Sequence, residues 1–257
     1  MRAVLTYHSI DDSASPISVA PASFAAHVRW LASGAVRVLS LEGLVAESSS
    51  GDDALGDAVA LTFDDGFENV ARYAAPLLAD HGLPATIFVV SGHVGRTNAW
   101  GGHDQAGIPT LPLMGWDSLG RLADQGVSLG AHTRTHPALD SVDAGMLAAE
   151  IDGSAQDIGR RLGRIPSVFA YPYGLAPPAA VEHVRRNFAV GVTTEMGFLH
   201  GSADCARIPR LDGYYLRRPD SLATWGTARF RAYLKLRATV RVAREQVRRG
   251  ARRFGAA

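Results

Sequence analysis

A regular alternation of short apolar runs with longer amphipathic ones constrains this chain more than any other feature. Apolar, β-rich runs cover residues 3–7, 36–39, 58–63, 85–90, 127–131, 168–171 and 189–193. Several are apolar at nearly every position, as strands covered on both faces should be. Between them lie helical stretches at 24–31, 68–80, 117–125, 143–162 and 178–186. The second of these runs into His81-Gly82 with Pro84 just beyond, a strong stop signal. Strands alternating with helices predict βαβ units and a parallel sheet. Seven such strands in 257 residues fit a barrel better than an open sheet, and the length is ordinary for one such domain. The predicted division is a barrel over 1–220 and a basic amphipathic helix over 221–257.

Composition narrows the class. Hydrophobic residues make up 47% and charged residues 20%, the balance of a globular domain. The lone Cys205 excludes an internal disulfide and reads as a small filler side chain. The N-terminal MRAVLTYHSI reads as a first strand rather than a leader, and no run reaches the roughly 20 apolar residues of a membrane span. A cytoplasmic location is therefore expected. Two segments are predicted as loops: a polar one at 48–57, and a glycine-rich one at 91–115 that carries His93, Asn98, Trp100 and His103. A loop that long in a compact domain is often a lid or a binding loop.

Two motifs could carry chemistry. Thr62-Phe63-Asp64-Asp65-Gly66 closes an apolar strand, and two adjacent carboxylates there repel unless a cation or a proton separates their roles. His132-Thr133-Arg134-Thr135-His136 follows another strand; two histidines four apart fit one face of a helical turn and can share a metal. In a parallel α/β barrel both motifs open on the same face. Two imidazoles and one carboxylate leave a coordination position open, which is a catalytic rather than a structural arrangement.

These motifs, with Phe169-Ala170-Tyr171-Pro172-Tyr173-Gly174 in third place, resemble the polysaccharide deacetylases of the NodB-homology type, carbohydrate esterase family 4. The resemblance runs from about residue 3 to 211 and implies a distorted (β/α)7 barrel that hydrolyses acetyl groups, N-acetyl first, from a saccharide. It implies a divalent metal on Asp65, His132 and His136, zinc in most relatives and otherwise cobalt, nickel or manganese. Asp64 would be the general base, and the backbone N–H of Tyr173 would help stabilise the oxyanion.

Two departures stand out. The family has Arg where this chain has Ala170; Arg210 is the candidate replacement. The general acid is either His200, in Phe198-Leu199-His200, or His8, in Leu5-Thr6-Tyr7-His8. The Tyr-His pair and the Phe-x-Tyr-Pro-Tyr-Gly variant resemble the exopolysaccharide-type subgroup, which favours His8. Trp100, Trp116, Tyr173 and His200 are candidate substrate contacts, while His27, His81 and His183 read as surface residues on helices. Alternatives are a non-catalytic carbohydrate-binding relative and a hydrolase of another small amide on the same fold.

The C-terminus is strongly basic. Ten Lys/Arg and one acid give residues 229–253 a net charge of +9, in a chain whose total is +1. Tyr233, Leu236, Val240, Ala243 and Val247 recur at helical spacing. The segment is expected to lie either against the barrel or on an anionic membrane surface. No motif that reads nucleic acid accompanies the charge, so no nucleic-acid partner is expected.

Overall fold

The computed structural model describes residues 1–50 and 56–254, with side chains described as far as Arg241. Parallel strands β1 (Arg2–Tyr7), β5 (Ala58–Phe63), β6 (Ala85–Val89), β7 (Ser128–Ala131), β8 (Val168–Ala170), β9 (Val190–Val192) and β10 (Arg210–Asp212) follow one another in the order β10-β1-β5-β6-β7-β8-β9. A parallel bridge between Val192 and Ile208 closes the ring, with the Thr193 N–H donating to Ile208 O at 2.9 Å. The short β4 (Arg37–Val38) pairs only with the start of β5. Outside the ring, β2 (Ser9–Ile10) and β3 (Ser18–Val19) form a separate pair above β1.

Strand composition explains the barrel. The sequence AVALTF of β5 is buried at every residue because both of its faces are covered. Val59, Leu61 and Phe63 join the outer core beneath the helices, whereas Ala58 and Ala60 join an inner core with Val4, Phe88, Ala170 and Val192. Alternate residues thus point into the barrel, as the pleat requires. The interior is tight: a Cβ on Gly130 would sit 2.3 Å from the Phe88 ring. Leu41, Leu44 and Val45 of α2 (Leu41–Ser49) complete the inner core.

Around the ring lie α1 (Pro21–Ala32), α3 (Ala75–Asp80), α4 (Trp116–Asp124), α5 (Ala144–Leu162) and α6 (Pro178–Asn187). A π-helical turn, Val70–Ala74, leads into α3. Asp143 caps α5, its side chain accepting from Met146 N–H, and left-handed Gly163 ends it. The last helix, α7 (Ala228–Phe254), packs through Phe230 and Leu234.

Several expectations change. The polar loop predicted at 48–57 gives up Ser48 and Ser49 to α2, Ser48 bonding back to Leu44 O; residues 51–55 lie outside those described. The 91–115 loop is ordered by antiparallel bridges Thr97–Pro112 and Phe67–Leu113, and by a buried Asn98 that accepts from Leu111 N–H and donates to Pro109 O. The packed face of α7 keeps Tyr233 of the predicted stripe but departs from it at Leu236, which is 63% exposed; Ala243 and Val247 lie outside the described side chains. Cys205 is exposed rather than a filler. His27 is not a surface residue but fully buried, with Tyr7 Oη 3.0 Å from its Nδ1. Burial, aided by the charge of Asp212, raises the Tyr7 hydroxyl far above its ordinary range.

Candidate active site

The parallel strands place their C-terminal ends at one mouth, where the loops of an α/β barrel build sites. His8 follows β1, Asp64 and Asp65 follow β5, His132 and His136 follow β7, and Tyr173 follows β8. His8, Asp64 and His132 continue the inward alternation of their strands, after Thr6, Thr62 and Gly130.

The two histidines do not share a helical turn. Residues 132–136 form an irregular loop in which Thr133 (φ 64°) and His136 (φ 60°) are left-handed. Asp65 (φ 70°) and Tyr173 (φ 58°) are left-handed as well. Such conformations cost about 1–3 kcal/mol each for non-glycine residues, and they concentrate where surrounding structure holds them for a purpose. At Gly174, beside Tyr173, a side chain is excluded: φ is 70° and a Cβ would lie 1.9 Å from Thr194 Oγ1.

Ligand atoms of Asp65, His132 and His136, all buried, lie within 4.8 Å of one another. Both imidazole Nε2 atoms stand 3.4 Å from Asp65 Oδ1. That oxygen is buried and makes no hydrogen bond, an arrangement costly for a carboxylate unless a cation completes it. His132 Nδ1 donates to Ala170 O at 2.8 Å, which fixes the tautomer and turns the Nε2 lone pair toward the centre. Burial drives His136 down to about 3, so its ring is neutral and able to ligate. One carboxylate and two imidazoles fit a divalent cation with an open position.

Asp64 is held differently. The Arg210 guanidinium grips it as a fork, Nη1 to Oδ1 at 2.7 Å and Nη2 to Oδ2 at 2.6 Å. The same guanidinium donates to Thr193 O, Thr6 Oγ1 and Thr62 Oγ1, and Arg210 is 1% exposed. Burial opposes the charge on Asp64, but the guanidinium outweighs it and holds the carboxyl well below the usual carboxylate range. Arg210 opens β10 and reaches through the barrel interior. Ala170, on β8, leaves that interior space open by having no long side chain. His8 Nε2 lies 3.7 Å from Asp64 Oδ2 with a fifth of its side chain exposed, facing both the carboxylate and the mouth.

The mouth is a cleft of about 740 Å³ lined by His8, Ile17, Trp100, His136, Tyr173 and Arg241 among others. Trp100 stacks on His136 at 4.5 Å between ring centroids, and Tyr173 meets the same imidazole edge-on at 4.6 Å. His93 meets Trp100 in an edge-to-face contact, while His103 is exposed.

Two predicted substrate contacts are corrected. His200 is exposed and follows Leu199, whose N–H donates to Arg2 O at the start of β1, the opposite end of the barrel. Trp116 opens α4, packs against the outer core and does not line the cleft. Residues not foreseen, Ile17, Thr194 and Asp212, also line the cleft. None of the three carried a readable signal: Asp212 lies on β10, a strand whose polar sequence hid it.

Comparison with known proteins adds the following. The family model described as polysaccharide deacetylase matches residues 51–188. YxkH of Bacillus subtilis is 24% identical over 195 residues, covering 76% of this chain and 64% of YxkH. The poly-β-1,6-N-acetyl-D-glucosamine N-deacetylase of Staphylococcus epidermidis is 24% identical over 204 residues, covering 76% and 67%. The chain thus spans about two thirds of the length of these curated relatives. Among solved structures, IcaB from Ammonifex degensii superposes with a TM-score of 0.70 at 23% identity, covering 83% of this chain and 93% of IcaB. The deacetylase PplD of Streptococcus pyogenes, in complex with acetate, gives 0.69 at 22%, covering 82% and 91%.

Proposed function

Because the chain belongs to the polysaccharide deacetylase family, we propose that it is a metal-dependent hydrolase that removes acetyl groups, N-acetyl foremost, from a polysaccharide. The observation that carries this reading is the unpartnered Asp65 Oδ1 between two Nε2 atoms, next to a second carboxylate that Arg210 keeps ionised.

Asp65, His132 and His136 would hold the cation, zinc being the ion best matched by two imidazoles and a carboxylate. A divalent cation bound there would supply Lewis acidity toward an acetyl carbonyl and would lower the pKa of a water. The protein does the rest. Asp64, fixed by its fork, accepts the proton of the attacking water. His8, close to Asp64 and open to the cleft, protonates the leaving amine. The Tyr173 N–H, set by its left-handed turn, stabilises the oxyanion. Trp100 and Tyr173 pack against His136 on the cleft wall, where the acetylated sugar would lie.

The basic segment 229–253 is further proposed to seat this mouth on an anionic membrane surface. Its net charge of +9 and the presence of Arg241 on the cleft wall support that reading. Vesicles containing phosphatidylserine should pull down the full chain but not a variant with Arg237, Arg241, Arg244 and Arg248 changed to Gln. Equal pull-down of both would reject the docking.

The activity is tested by acetate release from a panel of acetylated glycans after metal analysis. N-acetylated β-1,6-glucosamine oligomers should be hydrolysed, and His132→Ala should purify without the metal and without activity. Bound metal with no turnover on any acetylated saccharide would instead mark a binding protein.

A further inference from the structure

The loop bearing both histidine ligands is fastened from one face of α5. Glu150, Gly153 and Asp157 stand at i, i+3 and i+7 on that helix and all meet the loop. Residues 132–136 have neither helical nor strand hydrogen bonds for the N–H groups of Arg134 and Thr135. Glu150 Oε2 accepts both, at 2.8 and 2.9 Å, and its Oε1 accepts the Thr135 hydroxyl at 2.7 Å. Glu150 is 6% exposed, so these three donors are what compensates its burial.

Further contacts close the clamp. The Arg134 guanidinium lies over Gly153, where a Cβ would come within 2.5 Å of Cζ, and forks onto Asp157 at 2.8 and 2.9 Å. Asp157 also accepts the Ser91 hydroxyl at 2.9 Å, which ties in the loop after β6. Inside the loop, Thr133 Oγ1 accepts the His136 N–H at 3.1 Å. Left-handed Thr133 and His136 flank the two N–H groups that Glu150 holds. The strain of those two residues is therefore opposed by a carboxylate that touches neither histidine ring.

We propose that Glu150 is a positioning residue for the metal centre: its carboxylate holds the 132–136 loop in the strained conformation that aims His136 Nε2 at Asp65. This inference rests on the metal-site reading above. The role is one of reach and acceptor geometry rather than charge, since the donors it satisfies are two amides and a hydroxyl.

Two substitutions separate those properties. Glu150→Gln keeps the reach, and its amide oxygen can accept both N–H groups. Glu150→Asp keeps the charge but falls short by one methylene. Zinc affinity of the full chain is measured by competition with a chromophoric chelator, and the d–d spectrum is recorded with cobalt(II) in place of zinc. Glu150→Gln should bind zinc within about threefold of wild type, whereas Glu150→Asp should lose roughly 10- to 100-fold and shift the cobalt bands, the size of loss seen when the support that orients a ligand is removed. Wild-type affinity in Glu150→Asp, or an equal loss in both variants, overturns the clamp. A wild-type protein that binds no zinc overturns the metal site itself, a distinguishable failure. If Glu150→Asp does not fold, Thr135→Val decides: it removes only the hydroxyl contact, and zinc affinity equal to wild type rejects the proposal.

Discussion

Arg210→Met should be among the most destabilising single changes in this chain. The guanidinium makes five hydrogen bonds, two of them to Asp64, and the methionine fills most of its volume without replacing any. What remains is a carboxylate 2% exposed that has lost its guanidinium partner. Removing one partner of a buried ion pair costs about 3–5 kcal/mol, most of it the stranded charge. Urea unfolding at pH 7, in chelator so that metal binding does not contribute, measures the loss directly. The double variant Asp64→Asn/Arg210→Met no longer strands a charge and should recover roughly half of it. The pH dependence follows from the sign of the shift. In the wild type the Asp64 pKa lies below its unfolded value of about 3.9, so its contribution is complete above that pH and is lost as pH falls toward the folded pKa. In Arg210→Met burial is opposed only by the weaker attraction of His8 and His132, so that pKa rises and protonation relieves the variant as pH falls. The stability gap between the two proteins should therefore shrink from pH 7 to pH 4. A loss below about 1 kcal/mol at pH 7, or a gap that widens in acid, would refute the reasoning.

Other outcomes follow from the same geometry. His8→Gln should lower turnover of an N-acetyl substrate by about 10²–10⁴, the usual worth of a general acid, yet barely affect 4-nitrophenyl acetate, whose leaving group needs no proton. His200→Ala, at the far end of the barrel, should leave both rates unchanged. Gly174→Ala should cost about 1–3 kcal/mol in thermal unfolding, since an L residue at φ 70° is strained and its Cβ meets Thr194. Trp100→Ala should weaken zinc binding as well as kcat/KM, because Trp100 stacks on the ligand His136; a change in KM alone would confine it to substrate contact.

The strands around the site were legible because burial on both faces leaves a nearly unbroken apolar signal, as in AVALTF and ATIFV. β10 was not, since RLD presents two charged residues inward, one of them Arg210, and polar residues at a functional interior defeat a hydrophobic pattern. Asp64, Asp65, His132 and His136 were found from motif and spacing, but the helical turn invoked for the histidines is absent. Left-handed Thr133 and His136, held from α5, converge them instead, and such backbone strain has no signature in sequence. His27 shows the opposite limit: on an amphipathic helix it read as polar surface, yet it is fully buried with a hydrogen-bond partner 20 residues away, Tyr7 Oη, that helical spacing could not reveal. The C-terminal helix kept its basic character, while its packed face centres on Phe230, Tyr233 and Leu234 rather than on Leu236, a rotation of the stripe that tertiary contact selects.

The most direct measurement pairs metal content with acetate release in Asp64→Asn. Asp64 lies outside the Asp65–His132–His136 triad, so the variant should retain one zinc per chain, while acetate release from an N-acetylated glucosamine oligomer falls to background. Acetate release at the wild-type rate by Asp64→Asn, or by wild-type protein stripped of metal, would contradict the assignment of base and metal centre alike.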